Sequence, residues 1–234
     1  MSTNDTVLRL EHVSRIYRQG DQTIHALDNV GLTLEKGEFV AIAGPSGSGK
    51  TTLLNIAAGL DRPTEGKVWI GDQDLVQMTQ HELARLRLTQ IGFIFQSFNL
   101  VPVLSAEENA EFILLLRGVP AAKRREKVKA VLKAVGLEGL EHRRPAELSG
   151  GQQQRVAVAR AIVAEPAMVL ADEPTANLDS DTAFALLDLM EKLNRECGTT
   201  FLFSTHDPRV MKRAHRIIHM LDGHAEQDHR VIQT

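Results

Sequence analysis

Gly44-Pro45-Ser46-Gly47-Ser48-Gly49-Lys50-Thr51 follows the apolar run Phe39-Val40-Ala41-Ile42-Ala43 and precedes Thr52-Leu53-Leu54-Asn55-Ile56-Ala57-Ala58. The run before it has strand length and no polar alternation, and the stretch after it reads as a helix. The octapeptide is therefore the turn between a buried strand and a helix N-terminus. Glycines at 44, 47 and 49 let backbone amides turn toward a phosphate chain. Lys50 reaches the terminal phosphates, and the Thr51 hydroxyl can ligate Mg²⁺. The helix opening through Thr52 adds the positive end of its dipole to the same anion site.

Three more strand-length apolar runs lie downstream: Ile91 to Phe95, Met168 to Ala171 and Thr200 to Phe203. Like the first, they read as strands covered on both faces, as in a parallel α/β sheet. Each ends in polar chemistry: Gln96, Asp172-Glu173 and Ser204-Thr205-His206. Ligands of open α/β sheets bind outside the carboxyl ends of the strands, so the four endings are expected to converge on one crevice. Before this core, residues 7–34 alternate, with Leu8, Leu10, Val13, Ile16 and Tyr17 among their apolar positions, which predicts antiparallel strands. Lys67-Val68-Trp69-Ile70 adds another. Between Leu104 and Leu148, Val128, Val131, Leu132 and Val135 recur at helical spacing beside a basic face. The expected fold is thus α/β: a P-loop NTPase core with a mostly parallel sheet, an antiparallel β subdomain, and an inserted α-helical subdomain at about 97–148. All of it belongs to one domain spanning 1–234.

Composition narrows the function classes. A formal charge of −3 gives no general attraction to polyanions, so nucleic acid is not an expected partner. The single cysteine, Cys197, cannot form an internal disulfide, which suits a reducing compartment. Residues 1–20 hold no apolar run of the kind an export signal needs. The longest apolar runs, such as Phe112 to Leu116, fall far short of the roughly 20 residues that cross a bilayer. Membrane contact is expected only through a partner, and the last ten or so residues read as a loose tail.

Phosphoryl transfer needs an acid to hold metal and a residue to position water. At the end of a buried strand, Asp172 is placed to hold Mg²⁺ and Glu173 to act as general base on the γ-phosphate side. An acidic loop after a strand is common by itself, and a lone histidine such as His206 is more often structural. Convergence on the crevice makes both candidates.

The glycine loop alone fits kinases, GTPases and helicases equally well. Leu148-Ser149-Gly150-Gly151-Gln152 narrows the choice, because it resembles the signature of ABC transporter nucleotide-binding domains. In physical terms Ser149 can cap a helix beginning near Gln152, leaving bare glycine amides facing an anion. The resemblance covers nearly the whole chain, with its motifs in the expected order. It implies ATP and Mg²⁺ as ligands, ATP hydrolysis, and a head-to-tail dimer of two copies. In that dimer each ATP lies between one phosphate loop and the opposite copy's Ser149-Gly150-Gly151-Gln152. It further implies two transmembrane permease subunits as partners and a cytoplasmic location, peripheral on the cytoplasmic face of the inner membrane. By the same resemblance Tyr17 stacks on adenine, with a packed strand tyrosine as the lesser alternative. Gln96 links Mg²⁺ and water to the membrane subunit, Asn177-Leu178-Asp179 contacts the opposite copy, and His206 touches the γ-phosphate.

The segments Ile91 to Leu100, Glu107-Glu108-Asn109 and Ala171 to Asp179 resemble the MacB and LolD group of macrolide and lipoprotein exporters. Ala176 stands where that group usually has glycine. Ser97-Phe98-Asn99-Leu100 is closer to the MacB-like form than to a histidine-containing lipoprotein-releasing one. An FtsE-like ATPase regulating cell-wall hydrolysis and a solute-importer ATPase share the same motor and remain alternatives. A DNA-maintenance ATPase is disfavoured, because no sustained heptad run separates Lys50 from Ser149. The family also implies that Phe98 lies where a short helix of the membrane subunit docks. His215 and His219 have helical ligand spacing, but no cysteine or carboxylate cluster completes a zinc site. The basic run Lys123 to Lys129 reads as a solvated helix face.

Overall fold

The computed structural model describes residues 5–20 and 22–231. Two sheets share its core. The first holds β1 (Thr6–Gln19), β2 (Gln22–Glu35), β4 (Glu65–Ile70) and β5 (Gln73–Asp74), all antiparallel, in the order β2-β1-β4-β5. The second holds β3 (Phe39–Ala43), β6 (Ile91–Ile94), β7 (Met168–Ala171), β8 (Thr200–Thr205), β9 (Arg216–Leu221) and β10 (His224–Arg230), in the order β10-β9-β3-β8-β7-β6. Every pairing in it is parallel except that of β10 with β9. The helices are α1 (Lys50–Ala57), α2 (Gln80–Gln90), α3 (Ala106–Leu116), α4 (Ala121–Ala134), α5 (Gly150–Ile162), α6 (Ser180–Cys197) and the one-turn α7 (Pro208–Met211).

The continuous apolar runs have a direct cause. All residues of β3, β7 and β8 are buried, and alternate side chains enter opposite halves of the core. Phe39, Ala41, Val169, Phe201 and Phe203 join α3 to α6 on one face. Val40, Ile42, Leu170, Leu202 and Ile218 join α1, α2 and the antiparallel sheet on the other. The parallel sheet is thus a middle layer whose C-terminal edge is left for polar groups.

Helix α3 starts at a capping box, Ser105 with Glu108, and packs on both α4 and α5. Helix α5 in turn presses on β6, and Gly92 makes this possible. A Cβ at Gly92 would collide with the Ala161 carbonyl oxygen of α5. Gly92→Ala is therefore expected to push α5 off the sheet and cost about 1–3 kcal/mol; a urea midpoint equal to that of the unsubstituted chain would contradict this.

One expectation is corrected. The loose tail is in fact largely strand: β10 reaches Arg230, and Val231 N–H donates to the His215 carbonyl at 2.8 Å. Only residues 232–234 of that stretch lie outside the described residues. His215 and His219 do not share a helix. His215 precedes β9 and His219 lies within it, its ring stacked on His229 with centroids 5.4 Å apart.

Candidate nucleotide site

The C-terminal ends of β3, β6, β7 and β8 open on a cleft of about 730 Å³. Pro45, Ser46, Gly47 and Gly49 to Thr52 form one wall, and Gln96, Asp172, Glu173 and His206 form the other. Gly44 and Ser48 lie beneath. A Cβ at Gly44 would strike the Met220 carbonyl, and the Ser48 hydroxyl is buried without a partner among the described residues. Gly49 is the N-cap of α1 at φ 99°, a backbone that only glycine adopts at no steric cost.

Lys50 is 5% exposed, and its Nζ donates to the carbonyls of Gly44 (2.9 Å) and Pro45 (2.7 Å). The ammonium is thereby held at the mouth of the amide nest, where a phosphate oxygen is the stronger acceptor. Thr51 Oγ1 donates to the Asp172 carboxylate, 3.0 and 3.2 Å from its two oxygens. Ser204 Oγ donates to Asp172 at 2.7 Å and accepts from Glu173 N–H at 2.8 Å. Glu173 takes a left-handed backbone, φ 44°, which orients its carboxylate onto His206 Nδ1 at 2.8–2.9 Å. A chain of contacts therefore runs Thr51, Asp172, Ser204, Glu173, His206 across three strand ends. Thr51, Asp172 and Gln96 offer hard oxygen donors on one side of the cleft, which suits Mg²⁺ and not a soft metal.

Tyr17 is not among the cleft-lining residues. Its hydroxyl donates to Asp61 at 2.6 Å and its ring lies under the Arg15 guanidinium at 4.4 Å. It pairs across the sheet with Ile24, which does line the cleft mouth.

Ser149-Gly150-Gly151-Gln152 forms a second helix start. Ser149 Oγ accepts from Gln152 N–H at 3.3 Å, and Gln152 Oε1 accepts from Ser149 N–H at 2.9 Å, so the serine caps α5 with the glutamine closing the box. The helix begins at Gly150, two residues before the expected start. None of these four residues lines the cleft. They face the start of α6, where Asp179 caps the helix through Thr182 and a Cβ at Gly151 would hit the Thr182 methyl. Hydrogen bonds from Thr182 hold the Asp179 carboxyl below the usual carboxylate range.

A strand-loop-helix phosphate cradle and a separate capped glycine helix start now stand in one chain. Residues 27–176 match the family model described as ABC transporter. The chain belongs to the ABC transporter family. It is 44% identical over 229 residues to an uncharacterized ABC transporter ATP-binding protein of Methanocaldococcus jannaschii, MJ0796, covering 96% of this chain and 97% of that one. LolD, the ATP-binding protein of a lipoprotein-releasing system in Chromohalobacter salexigens, is 42% identical, covering 97% and 96%. The macrolide export ATP-binding/permease protein MacB of Hyphomonas neptunium is 48% identical over 93% of this chain, which spans only 34% of that longer protein. The solved dimer of MJ0796 in a post-hydrolysis state with ADP and Pi superposes at TM-score 0.88, with 43% identity over 97% of this chain and 100% of that one. The chain is an ATP-binding, ATP-hydrolysing subunit of an ABC transporter.

In this ABC subunit the motifs are cross-tied by contacts that the sequence did not announce. Asn177 Nδ2 donates to the Gln96 carbonyl at 2.9 Å. Gln154, fully buried on α5, donates Nε2 to the Pro174 carbonyl at 2.7 Å and approaches the Phe95 carbonyl at 3.5 Å, while its Oε1 has no partner among the described residues. One amide thus ties the signature helix to the segments bearing Gln96 and Glu173. The clue was positional: Gln154 falls on the apolar stripe of α5 with Val158 and Ala161. Gln154→Met removes the bond and the orphaned acceptor together, so stability should change by less than about 1 kcal/mol. Turnover should fall about tenfold or more through misplacement of the flanking groups. Thermal melting and steady-state ATPase assays check the two halves separately.

Phe98 is half-buried, and its ring reaches within 3.8 Å of where a Gly150 Cβ would stand, beside the signature turn.

Proposed function

We propose that this ABC subunit binds MgATP and works as a head-to-tail dimer that drives two transmembrane partners of MacB- or LolD-like type. Gly44 to Thr52 cradle the phosphates and Lys50 neutralises their charge. Thr51 and Asp172 hold Mg²⁺, with Gln96 beside them. Glu173 draws the proton from water as it attacks the γ-phosphate, and His206 positions Glu173 and the γ-phosphate. Tyr17 borders the adenine. The second copy supplies Ser149 to Gln152 and Asp179. Among the described residues no helix is long and apolar enough to cross a membrane, so in this reading the chain attaches to the cytoplasmic face of the membrane through its partners.

The observation that carries the dimer is that Ser149 to Gln152 lie outside the chain's own cleft. A nucleotide there meets such a helix start only on a second copy. MJ0796, similar along its whole length, is described as dimeric. The test mixes two inactive variants, Lys50→Met and Ser149→Arg. One intact composite site forms only in mixed dimers, so turnover is expected to emerge on mixing. Two variants that stay inactive together, while each still folds and dimerises, would reject the shared site.

A further inference from the structure

Strand β8 runs between β3 and β7, and Ser204 stands one residue before its end. Leu202, two residues back on the same face, and Ile42, its partner across the sheet, belong to the apolar half-core that covers α1. Ser204 is fully buried beside them. A hydroxyl in such surroundings is costly unless it is hydrogen-bonded. Here the proton and a lone pair are both used. Ser204 Oγ donates to Asp172 Oδ1 at 2.7 Å and accepts from Glu173 N–H at 2.8 Å.

The bond from Glu173 stands where a ladder bond between strands would come next. Pairing of β7 with β8 ends at Ala171 and Phe203. Past that point Asp172 N–H still donates to the Ile94 carbonyl of β6 at 3.0 Å, whereas Glu173 N–H takes the Ser204 hydroxyl in place of a β8 carbonyl. It does so where Glu173 adopts φ 44°, a backbone that persists only when its surroundings hold it. The bond to Asp172 is equally selective. Thr51 Oγ1 reaches both carboxylate oxygens, at 3.0 and 3.2 Å, but Ser204 takes Oδ1 alone. When Thr51 turns its hydroxyl to Mg²⁺, Ser204 therefore keeps its hold on Oδ1 and leaves Oδ2 for the cation.

We propose that Ser204 is a positioning residue that joins the two acids: one hydroxyl orients the carboxylate that holds Mg²⁺ and pins the backbone of the residue that activates water. The inference rests on the roles given above to Asp172 and Glu173 and adds the group that sets one against the other. Because both acids depend on the same oxygen, its loss is felt in metal affinity and in turnover together. Lys50 is bonded to Gly44 and Pro45 and not to Ser204, so the phosphate cradle is left as it was.

The test compares Ser204→Ala, Ser204→Thr and Ser204→Val in the full chain. The last two add the same bulk to a buried strand and differ only in the hydroxyl, while Ser204→Ala adds none. At saturating Mg²⁺, kcat is expected to fall about 10-fold or more in Ser204→Ala and Ser204→Val, with the KM for ATP within about threefold. Ser204→Thr should stay within about threefold in both. Mn²⁺ titrated into the ADP complex and followed by electron paramagnetic resonance should bind about 10-fold more weakly in Ser204→Ala and Ser204→Val, and within about twofold of normal in Ser204→Thr. A hydroxyl with a merely structural role would lower the thermal midpoint without moving Mn²⁺ affinity. The proposal is overturned by a Ser204→Ala kcat within threefold of the unsubstituted chain, or by an unchanged Mn²⁺ affinity in that variant. It is overturned equally if Ser204→Thr, folded, does no better than Ser204→Val. Should the added bulk unfold those two, the Ser204→Ala readings decide alone. Asp172→Asn tests the underlying reading separately: unchanged Mn²⁺ affinity there rejects Asp172 as the metal holder, and this inference with it.

Discussion

Glu173→Gln is expected to lower ATP turnover about 10³-fold while leaving nucleotide affinity intact, so that a dimer loaded with ATP accumulates. The carboxylate stands at the C-terminal end of β7, positioned by Ser204 at its amide and by His206 at its side chain. An amide at the same place keeps the shape but cannot accept a proton, and loss of a positioned general base costs about 10²–10⁴ in rate. Since Glu173 touches neither Lys50 nor Thr51, the phosphate cradle is untouched. Size-exclusion chromatography with ATP, beside a phosphate-release assay, reads both effects. Turnover within a few fold of the unsubstituted chain would reassign the base.

Lys50→Met should act on the other side of the cycle, weakening ATP binding about 100-fold or more. The ammonium is nearly buried and, among the described residues, held only by the Gly44 and Pro45 carbonyls, so it is placed before the nucleotide arrives. Its removal leaves incoming phosphate charge desolvated against neutral amides, and losing one partner of a buried charge pair costs about 2–5 kcal/mol. Methionine fills the stem's volume, so the loop should keep its fold. A fluorescent-nucleotide titration decides, and an unchanged dissociation constant would show that backbone amides alone carry the affinity.

The cleft was legible because its parts sit at the ends of strongly apolar strands. Phe39 to Ala43, Met168 to Ala171 and Thr200 to Phe203 are buried on both faces, and such burial demands unbroken hydrophobic sequence. Ser149 was legible as a cap because serine three residues before glutamine has one characteristic use at a helix start. What escaped had no such periodic signal. Every residue of His224 to Arg230 is exposed, so β10, held by backbone pairing, by His229 on His219 and by Asp228 on Arg216, gives no hydrophobic trace. Helix α2 buries only Leu83 and Leu86. Gln154 and Asn177 act through single amide contacts to carbonyls distant in sequence, and spacing along a chain does not encode such contacts. The left-handed backbone that turns the Phe98 ring toward Gly150 likewise has no signal in spacing along the chain.

The order of the parallel strands has one more consequence. β3, which ends in the phosphate loop, and β7, which ends in the acids, are not neighbours; β8 runs between them. Two strand spacings, about 10 Å, therefore separate the two walls. The inserted strand works as a spacer gauge. It sets the distance between the phosphate loop and the acids, and direct pairing of β3 with β7 would halve that gap.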